Sequence, residues 1–290
     1  MRPTARLVDK DLHIQCFPGN DHVEHYAALL NTYLKLTRGE SAAADKVYFQ
    51  PTSSSETIRC LTTHTNLLDI PNAEVIVLGL IHRLGEARQS TESLNGSEEF
   101  AWELRRTKSG RTVAFIGCRF SFWGSIAGDI IRVLATQTGA RKFLYIGKLG
   151  TTIPDIAPNR FLATGDYSLV GGISIKWINS LQSLIREKDH RAIIVEGRHE
   201  TLPSVLYETL EWLSDAKRAR HDFVDPEVGH MAQAALESKV EFGYLHIISD
   251  NVSRKYSQDL SNERDSGVLE RRDILYQLLN EYVSMYLEQC

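Results

Sequence analysis

FVDPEVGHMAQAALES, residues 223–238, and YLHIISDNVS, residues 244–253, are the two stretches that best indicate the fold of this chain. Each contains an apolar run typical of a buried strand, and each places a carboxylate where that strand should end. The carboxylates are Glu227 and Asp250. Because ligands of twisted α/β sheets bind at the carboxyl ends of strands, both residues are candidates for a site at one sheet edge.

Apolar runs alternate with amphipathic stretches over most of the chain. We predict strands at residues 73–80, 112–118, 142–147, 191–197 and 243–249. We predict helices at residues 21–39, 124–138, 175–188, 203–218, 227–238 and 267–288. Continuous apolar strands separated by helices indicate a sheet that is covered on both faces, and therefore an α/β fold.

The first part of the chain does not follow this alternation. Residues 50–57 are a polar loop or a turn that leads into a helix. We predict that residues 1–72 are an N-terminal elaboration packed on the core and that residues 73–290 form a single α/β domain. The polar residues 253–267 are a candidate flap or a surface loop.

Composition excludes several classes of protein. The chain has 290 residues, a formal net charge of −4 and four scattered cysteines, and its pI is about 6.2. A nucleic-acid-binding protein normally has a basic surface, so we predict no nucleic-acid partner. The sequence has neither a leader pattern nor an apolar run long enough to span a bilayer, so no membrane association is predicted. Cysteines without a metal or disulfide spacing favour reduced thiols in the cytoplasm.

The order of three motifs resembles that of the nucleoside phosphorylase and nucleosidase superfamily. The motifs are GARKFLYIGKLGTTIPDIAPNRFLATGDYSLVGG (139–172), HDFVDPEVGHMAQAA (221–235) and HIISDN (246–251). The resemblance implies a three-layer α/β sandwich with a central mixed β-sheet. It also implies cleavage of the N-glycosidic bond of a nucleoside or related ribosyl compound, either by phosphorolysis or by hydrolysis.

The resemblance assigns roles to individual residues. Glu227 corresponds to the glutamate that accepts hydrogen bonds from the ribose hydroxyls, and Pro226 replaces the methionine under the ribose. Asp250, which follows Ser249 in the serine-aspartate motif, corresponds to the acid that protonates the departing base. From the residues alone, Glu227 could instead only stabilise the dipole of a helix, and Asp250 could be a cap or turn residue.

Further substrate-binding residues follow from the same resemblance. Arg83 lies where many members bind phosphate with an arginine-containing loop, and Gly147 and Lys148 lie in the central turn. The remaining candidates, near the segment that usually lines the base pocket, are Arg198, His199 and Glu200.

The central turn departs from the family pattern. Tyr145 stands in place of the phosphate-binding arginine, and Lys148 stands in place of the phosphate-binding hydroxyl. A phenol cannot replace a bidentate guanidinium. Three interpretations remain open: phosphate is bound differently, by Arg83, Lys148 and Arg119; water is the nucleophile; or the protein binds a nucleoside or nucleotide without turnover.

The residue types fit this chemistry. Cleavage of the N-glycosidic bond builds positive charge on the sugar, which a fixed carboxylate favours. A protonated carboxyl beside the base supplies a proton to the leaving group, a role that requires a raised pKa. No metal or organic cofactor is implied, although inorganic phosphate is a possible co-substrate. The predicted partners are a small-molecule nucleoside and further copies of the chain, since family members often complete their pockets across subunits.

Overall fold

The computed structural model describes residues 4–38, 47–88, 94–96, 98–120, 122–187 and 193–290. The strands are β1 (Thr4–Val8), β2 (Asp11–Gln15), β3 (Val75–Gly79), β4 (Phe100–Arg106), β5 (Thr112–Cys118), β6 (Lys142–Thr151), β7 (Leu162–Thr164), β8 (Tyr167–Val170), β9 (Ile173–Lys176), β10 (Ile194–Glu196), β11 (His199–Thr201), β12 (Phe223–Asp225) and β13 (Glu241–Asn251). The helices are α1 (Asn20–Arg38), α2 (Ser54–His64), α3 (Gly85–Arg88), α4 (Ser125–Thr138), α5 (Gln182–Glu187), α6 (Leu210–Ala219), α7 (Val228–Ser238) and α8 (Ser266–Gln289).

Strand β6 is the centre of a mixed sheet that contains eleven of the described strands. It pairs in parallel with β13 along its length and with β3 over its first half. Its last residues pair with β12, which runs antiparallel to it. The sheet continues from β13 through β7 to β10, and from β12 through β11 and β8 to β9. Beyond β3 it ends with β5 and β4, whereas β1 and β2 form a separate hairpin.

Both faces of the sheet carry a hydrophobic core because apolar side chains alternate along β6. Phe143 and Tyr145 point into one core, together with residues of α4 and α7. Leu144 and Ile146 point into the other core, which contains residues of α5 and α8. Helices therefore cover both faces, which confirms the predicted three-layer α/β sandwich with a central mixed sheet.

The N-terminal part of the chain packs on the first of these cores. Phe17 and Leu61 are buried there beside residues of α4. Helix α2 begins with a capping box, in which the Ser53 side chain accepts a hydrogen bond from the N–H of Glu56 and the Glu56 side chain accepts one from the N–H of Ser53. The polar stretch at residues 50–57 is thus a turn that leads into a helix. The domain boundary at residue 72 stays a prediction.

Two predicted helices differ from the structure. Residues 175–188 begin in β9, and helix α5 starts only at Gln182. The alternation of Ile173, Ile175 and Trp177 has the period of a strand, and β9 pairs with β8 through a Gly-Gly turn. Residues 203–218 also contain less helix than predicted, because Thr209 caps α6 immediately before Leu210. The predicted positions 39, 188, 191 and 192 lie outside the described residues.

Gly79 allows β3 to end against β6. Its φ is 113°, and a Cβ there would collide with the carbonyl oxygen of Ile146 and lie 3.0 Å from the Tyr145 ring. We expect Gly79→Ala to lower the free energy of unfolding by about 1–3 kcal/mol, as measured by denaturant titration. Gly110→Ala is the control, since Gly110 also has a positive φ but has no atom within 4 Å of the added Cβ. Equal losses of unfolding free energy in Gly79→Ala and Gly110→Ala would show that the close approach of residue 79 to the carbonyl of Ile146 does not affect stability.

Candidate functional site

Glu227 lies at the start of α7, directly after β12, and is buried. Its backbone N–H and that of Val228 both donate to Oδ1 of Asp225 at 2.9 Å. Burial and the neighbouring charge of Asp225 raise the pKa of Glu227 well above its usual value. Of this carboxyl pair, Glu227 is therefore the member that keeps its proton to the higher pH.

Asp225 is the charged member of the pair. Burial alone would raise the pKa of Asp225, but His199 and the backbone N–H of Val228 outweigh burial and lower it. Nε2 of His199 lies 3.0 Å from Oδ1 of Asp225. Nδ1 of the same histidine lies 3.0 Å from the Ser168 hydroxyl. The predicted residue His199 thus contacts the site through Asp225.

A buried tyrosine and a buried histidine lie beside this pair. Tyr145 of β6 and His246 of β13 meet edge to face, with ring centroids 4.6 Å apart. Burial lowers the pKa of His246 to about 3, so its ring is neutral. Neither ring nitrogen of His246 has a hydrogen-bond partner within the described part of the chain. Buried polar groups without partners are rare in native proteins and mark candidate ligand sites.

Asp250 lies near the end of β13. Its Oδ1 accepts a hydrogen bond of 2.8 Å from the hydroxyl of Ser249. Burial raises the pKa of Asp250, and the charge of Asp259 adds to this effect, whereas Ser249 and Lys148 oppose it. Burial together with Asp250 also raises the pKa of Glu208 to about 7. Two carboxyl groups with raised pKa values therefore lie near each other here.

Asp250 and His246 lie on opposite faces of β6. A Cβ at Gly147 would lie 3.0 Å from Nε2 of His246, whereas a Cβ at Gly150 would lie 2.8 Å from Oδ2 of Asp250. Residues three apart on a strand point to opposite faces, so the two side chains do as well.

Glu227 lies on the same face of the sheet as His246. Burial raises the pKa of Tyr145, and the neighbouring Glu227 and Asp225 raise it further, so Glu227 lies close to the ring that packs against His246. Strands β12 and β13 pair with the two edges of β6 and are thus about 10 Å apart. Glu227 and Asp250 consequently lie on either side of the glycine-bounded end of β6, and no hydrogen bond or ion pair joins them in the described residues.

The two cationic candidates lie on the face of Asp250. Nζ of Lys148 is 2.8 Å from Oε2 of Glu263, in the segment before α8. The guanidinium of Arg83 lies over the ring of Tyr276, 5.1 Å from its centroid. Burial lowers the pKa of His82, and the charges of Arg83 and Lys148 both contribute to this shift. The structure therefore brings Arg83 and Lys148 into one positively charged region.

Three other predicted residues make contacts away from both carboxyl groups. Arg198 is exposed, and its guanidinium lies over the Tyr167 ring at 4.0 Å from the centroid. Glu200 is bonded to Nδ1 of His221 at 2.8 Å. Pro226 accepts a hydrogen bond of 2.9 Å from the N–H of Gly124 through its carbonyl oxygen. Of the stretch 198–200, only His199 reaches the buried carboxyl pair.

The N-terminal helix covers the Glu227 side of the site. Oδ2 of Asp21 accepts a hydrogen bond from the N–H of Ser125 and lies 3.7 Å from Nε2 of His230 on α7. The ring of His22 meets that of Trp123 edge to face at 3.8 Å. The contribution of α1 cannot be read from the sequence, because these contacts join residues about one hundred to two hundred positions apart.

Two surface clefts lie elsewhere, among N-terminal residues. One of about 340 Å³ is lined by Cys16, Arg59 and Cys60, and one of about 470 Å³ lies between the β1–β2 hairpin and α1. Neither includes the carboxyl groups described above. The described residues contain no group of three or more histidine, cysteine, aspartate or glutamate side chains placed to bind a metal. None of the described helices combines the length and apolarity needed to cross a membrane.

Comparisons with known proteins identify the fold. No family model matches the chain. An oxidoreductase of Cordyceps militaris, cns1, is 22% identical over 239 residues, which are 75% of this chain but only 29% of the relative. The 5′-methylthioadenosine/S-adenosyl homocysteine nucleosidase of Campylobacter jejuni is 16% identical with a TM-score of 0.60, over 76% of this chain and 100% of its own. The purine nucleoside phosphorylase of Toxoplasma gondii is 12% identical with a TM-score of 0.59. The match covers 77% of this chain and 94% of the phosphorylase chain. The predicted nucleoside phosphorylase and nucleosidase fold is confirmed.

Proposed function

We propose that this protein cleaves the N-glycosidic bond of a nucleoside or a related ribosyl compound. The observation that carries the proposal is that two carboxyl groups, Glu227 and Asp250, lie at the glycine-bounded end of one strand, β6. Both carboxyl groups are largely shielded from water, and both have raised pKa values. Solved proteins with the same fold are a nucleosidase and a nucleoside phosphorylase.

The ligand lies across the end of β6 in this proposal. Gly147 and Gly150 have no side chains, so His246 and Asp250 can approach the strand closely on its two faces. The sugar contacts Glu227, whose protonated carboxyl can both donate to and accept from ribose hydroxyls. The base contacts Asp250 on the other side. The neutral ring of His246 and the Tyr145 ring line the sugar side.

The chemistry follows from these protonation states. Breaking the bond between C1′ and the base nitrogen leaves the electron pair on the base, and the proton of Asp250 neutralises it. Positive charge develops on the sugar, and the buried carboxylate of Asp225 is the nearest fixed negative charge. C1′ then accepts an electron pair from an oxygen of water or phosphate. When water attacks, its proton passes to the carboxylate of Asp250, which restores the acid; when phosphate attacks, Asp250 regains its proton from solvent.

The test is release of free base from a panel of purine and pyrimidine nucleosides, each assayed with and without inorganic phosphate. We expect base release from at least one nucleoside. Release that requires phosphate and yields a sugar 1-phosphate indicates phosphorolysis, and release without phosphate indicates hydrolysis. Saturable nucleoside binding without release of base under either condition would contradict the proposed activity.

Binding without turnover is the second candidate function, and one observation favours it. Glu227 and Asp250 lie on opposite faces of β6, so a ligand held by one does not automatically reach the other. A binding protein of this kind would retain its nucleoside affinity in Asp250→Asn. An enzyme would lose its rate of base release in the same variant.

We further propose that the protein is a homo-oligomer in the cytoplasm. Large apolar side chains are exposed on the hairpin and on α1, including Leu12, Tyr33 and Leu36. A second copy of the chain would cover them. The four cysteines are free thiols, which supports a reducing compartment. Light scattering on the purified protein should give a mass at least twice 32.8 kDa, and a monomeric mass would contradict the oligomer.

A further inference from the structure

We propose that the β1–β2 hairpin and α1 form a self-complementary surface through which two copies of the chain bind each other, which rests on the homo-oligomer proposed above and specifies its interface. The hairpin supplies an apolar ridge. An apolar cleft of about 470 Å³ lies between the hairpin and α1. Ridge and cleft both lie within residues 4–38, so a second copy offers to each of them the surface that it lacks.

The hairpin has one apolar face. The cross-strand pairs Ala5–Ile14 and Leu7–Leu12 alternate with pairs that each contain a polar or charged residue. Because side chains alternate along a strand and directly opposite residues share a face, the four apolar side chains lie on one side of the hairpin. Ala5 and Ile14 line the cleft beside α1. Leu7 and Leu12 continue the same face toward the turn and form what we call the hairpin ridge.

The hairpin ridge is open to solvent. Leu7 is 73% exposed and Leu12 is 61% exposed. All five residues of β1 and four of the five residues of β2 are exposed. Within the described part of the chain, β1 and β2 pair only with each other. A two-stranded hairpin alone is marginally stable in water, so a contact that covers its apolar face stabilises it.

The cleft is lined on its other side by an apolar stripe of α1. Tyr26, Leu29, Leu30 and Tyr33 line it, and their spacing places them on one face of the helix. Leu29 and Tyr33 are among the large apolar side chains that remain exposed. Burial of apolar surface is favourable, so the cleft fits an aliphatic side chain from outside.

A second copy is the occupant that fits both features at once. A twofold axis places the hairpin ridge of each copy in the cleft of the other, which gives an isologous contact that closes at two copies. Charges at the rim agree with this arrangement. The hairpin turn beside the ridge contains Asp9 and Asp11 around Lys10, whereas Lys35 and Arg38 lie in the last turn of α1, beyond the cleft. Opposite charges therefore meet where the hairpin turn of one copy approaches the end of α1 in the other.

The proposed interface adjoins the candidate site without containing its carboxyl groups. Helix α1 contacts the segment before α4 through Asp21 and His22, in its first turn. The cleft uses the following turns, from Tyr26 to Tyr33. A second copy bound to these turns therefore fixes the helix that covers the Glu227 side of the site.

The test is sedimentation of the full-length protein in the analytical ultracentrifuge over a dilution series. We expect Leu12→Asp to halve the mass of the wild-type assembly and to weaken self-association by at least about 100-fold, because the lost burial of a leucine occurs twice across the axis. Leu12→Met conserves volume and should keep the dissociation constant within about threefold. The matched control is Ile274→Asp, which should leave the assembly unchanged. Ile274 is 64% exposed on α8, which covers the other face of the sheet.

A cross-linking experiment locates the contact. Leu12→Cys and Leu29→Cys are introduced into separate copies that a tag distinguishes by mass, and the mixture is oxidised. A disulfide between residues 12 and 29 of different copies requires their Cβ atoms to come within about 4.5 Å, so it forms if the hairpin ridge enters the cleft of the partner. Peptide mapping identifies the linked residues, and circular dichroism checks that each variant is folded.

The outcomes distinguish a wrong interface from a wrong oligomer. A monomeric wild type contradicts both the homo-oligomer and this interface. A wild-type oligomer whose mass Leu12→Asp leaves unchanged, with no disulfide between residues 12 and 29, shows that the copies meet through another surface and contradicts the interface alone. No nucleoside is present in either experiment, so the result is independent of the proposed activity.

Discussion

The Asp250→Asn variant should release base about 10²–10⁴-fold more slowly than wild type, the range that a positioned general acid contributes. The reason is the environment of the carboxyl. Burial raises the pKa of Asp250, and the charge of Asp259 raises it further. Asp250 therefore keeps its proton to higher pH than an exposed aspartate. An asparagine of the same shape cannot transfer a proton to the departing base.

The pH profile provides a second measurement. The protonated form of Asp250 is present below its raised pKa and is lost as the pH rises through that value. Wild-type activity should therefore fall on the alkaline side, and this limb should be absent from Asp250→Asn. The matched control is Asp155→Asn, an exposed aspartate that should retain the wild-type rate and profile. An unchanged rate in Asp250→Asn would remove Asp250 from the mechanism.

Glu208 is the alternative proton donor on the same side of the sheet. Burial and the charge of Asp250 raise its pKa to about 7. If Glu208→Gln abolishes the alkaline limb while Asp250→Asn preserves it, the general acid is Glu208. Loss of the limb only in Asp250→Asn assigns the proton to Asp250.

The central strands are the part of the fold that the sequence predicts best. Strand β5 has the predicted bounds, residues 112–118, and β3 lies within the predicted range 73–80. Such strands are apolar on both faces, so composition alone identifies them. The three-residue strands β11 and β12 have no apolar period long enough to predict. They exist because their neighbours β6 and β8 offer free hydrogen-bonding edges.

The site is less predictable than the fold, for a physical reason. The predicted strand ends and the resemblance both indicate Glu227 and Asp250, but neither shows that the two residues lie on opposite faces of β6. That depends on a register shift in β13 between Ile248 and Asp250, which local sequence does not reveal. One sequence feature could have indicated that His246 belongs to the site. It is a histidine within the apolar run YLHIIS, which is unusual in a buried strand. No sequence feature indicated Asp225, apart from its position two residues before Glu227.

We expect Glu227 to be needed for base release and to lower the stability of the folded protein. We expect Glu227→Gln to lower the rate of base release by about 10²–10³-fold, the loss typical when a preorganised electrostatic contact to the transition state is removed. Glutamine keeps the shape of the protonated carboxyl, but its amide nitrogen can only donate hydrogen bonds. The contact that a carboxyl oxygen accepts from a ribose hydroxyl is therefore lost.

The same variant should be more stable than wild type at neutral pH. Burial and the charge of Asp225 raise the pKa of Glu227 in the folded protein. An acid with a raised folded pKa contributes its full stability below its unfolded pKa of about 4.3, and that contribution is lost as the pH rises toward the folded pKa. Glutamine has no such loss. The difference in free energy of unfolding between Glu227→Gln and wild type should therefore grow as the pH rises from 4 to 8.

Denaturant unfolding across this pH range measures the difference directly. The control is Glu211→Gln, an exposed glutamate in the first turn of α6, which should show no such pH dependence. If the variant is inactive and more stable at neutral pH, Glu227 is needed for activity although its ionisation destabilises the folded protein. If the stability of Glu227→Gln relative to wild type instead falls as the pH rises, the folded protein favours the charged form of Glu227 and the assignment of the charge to Asp225 is wrong.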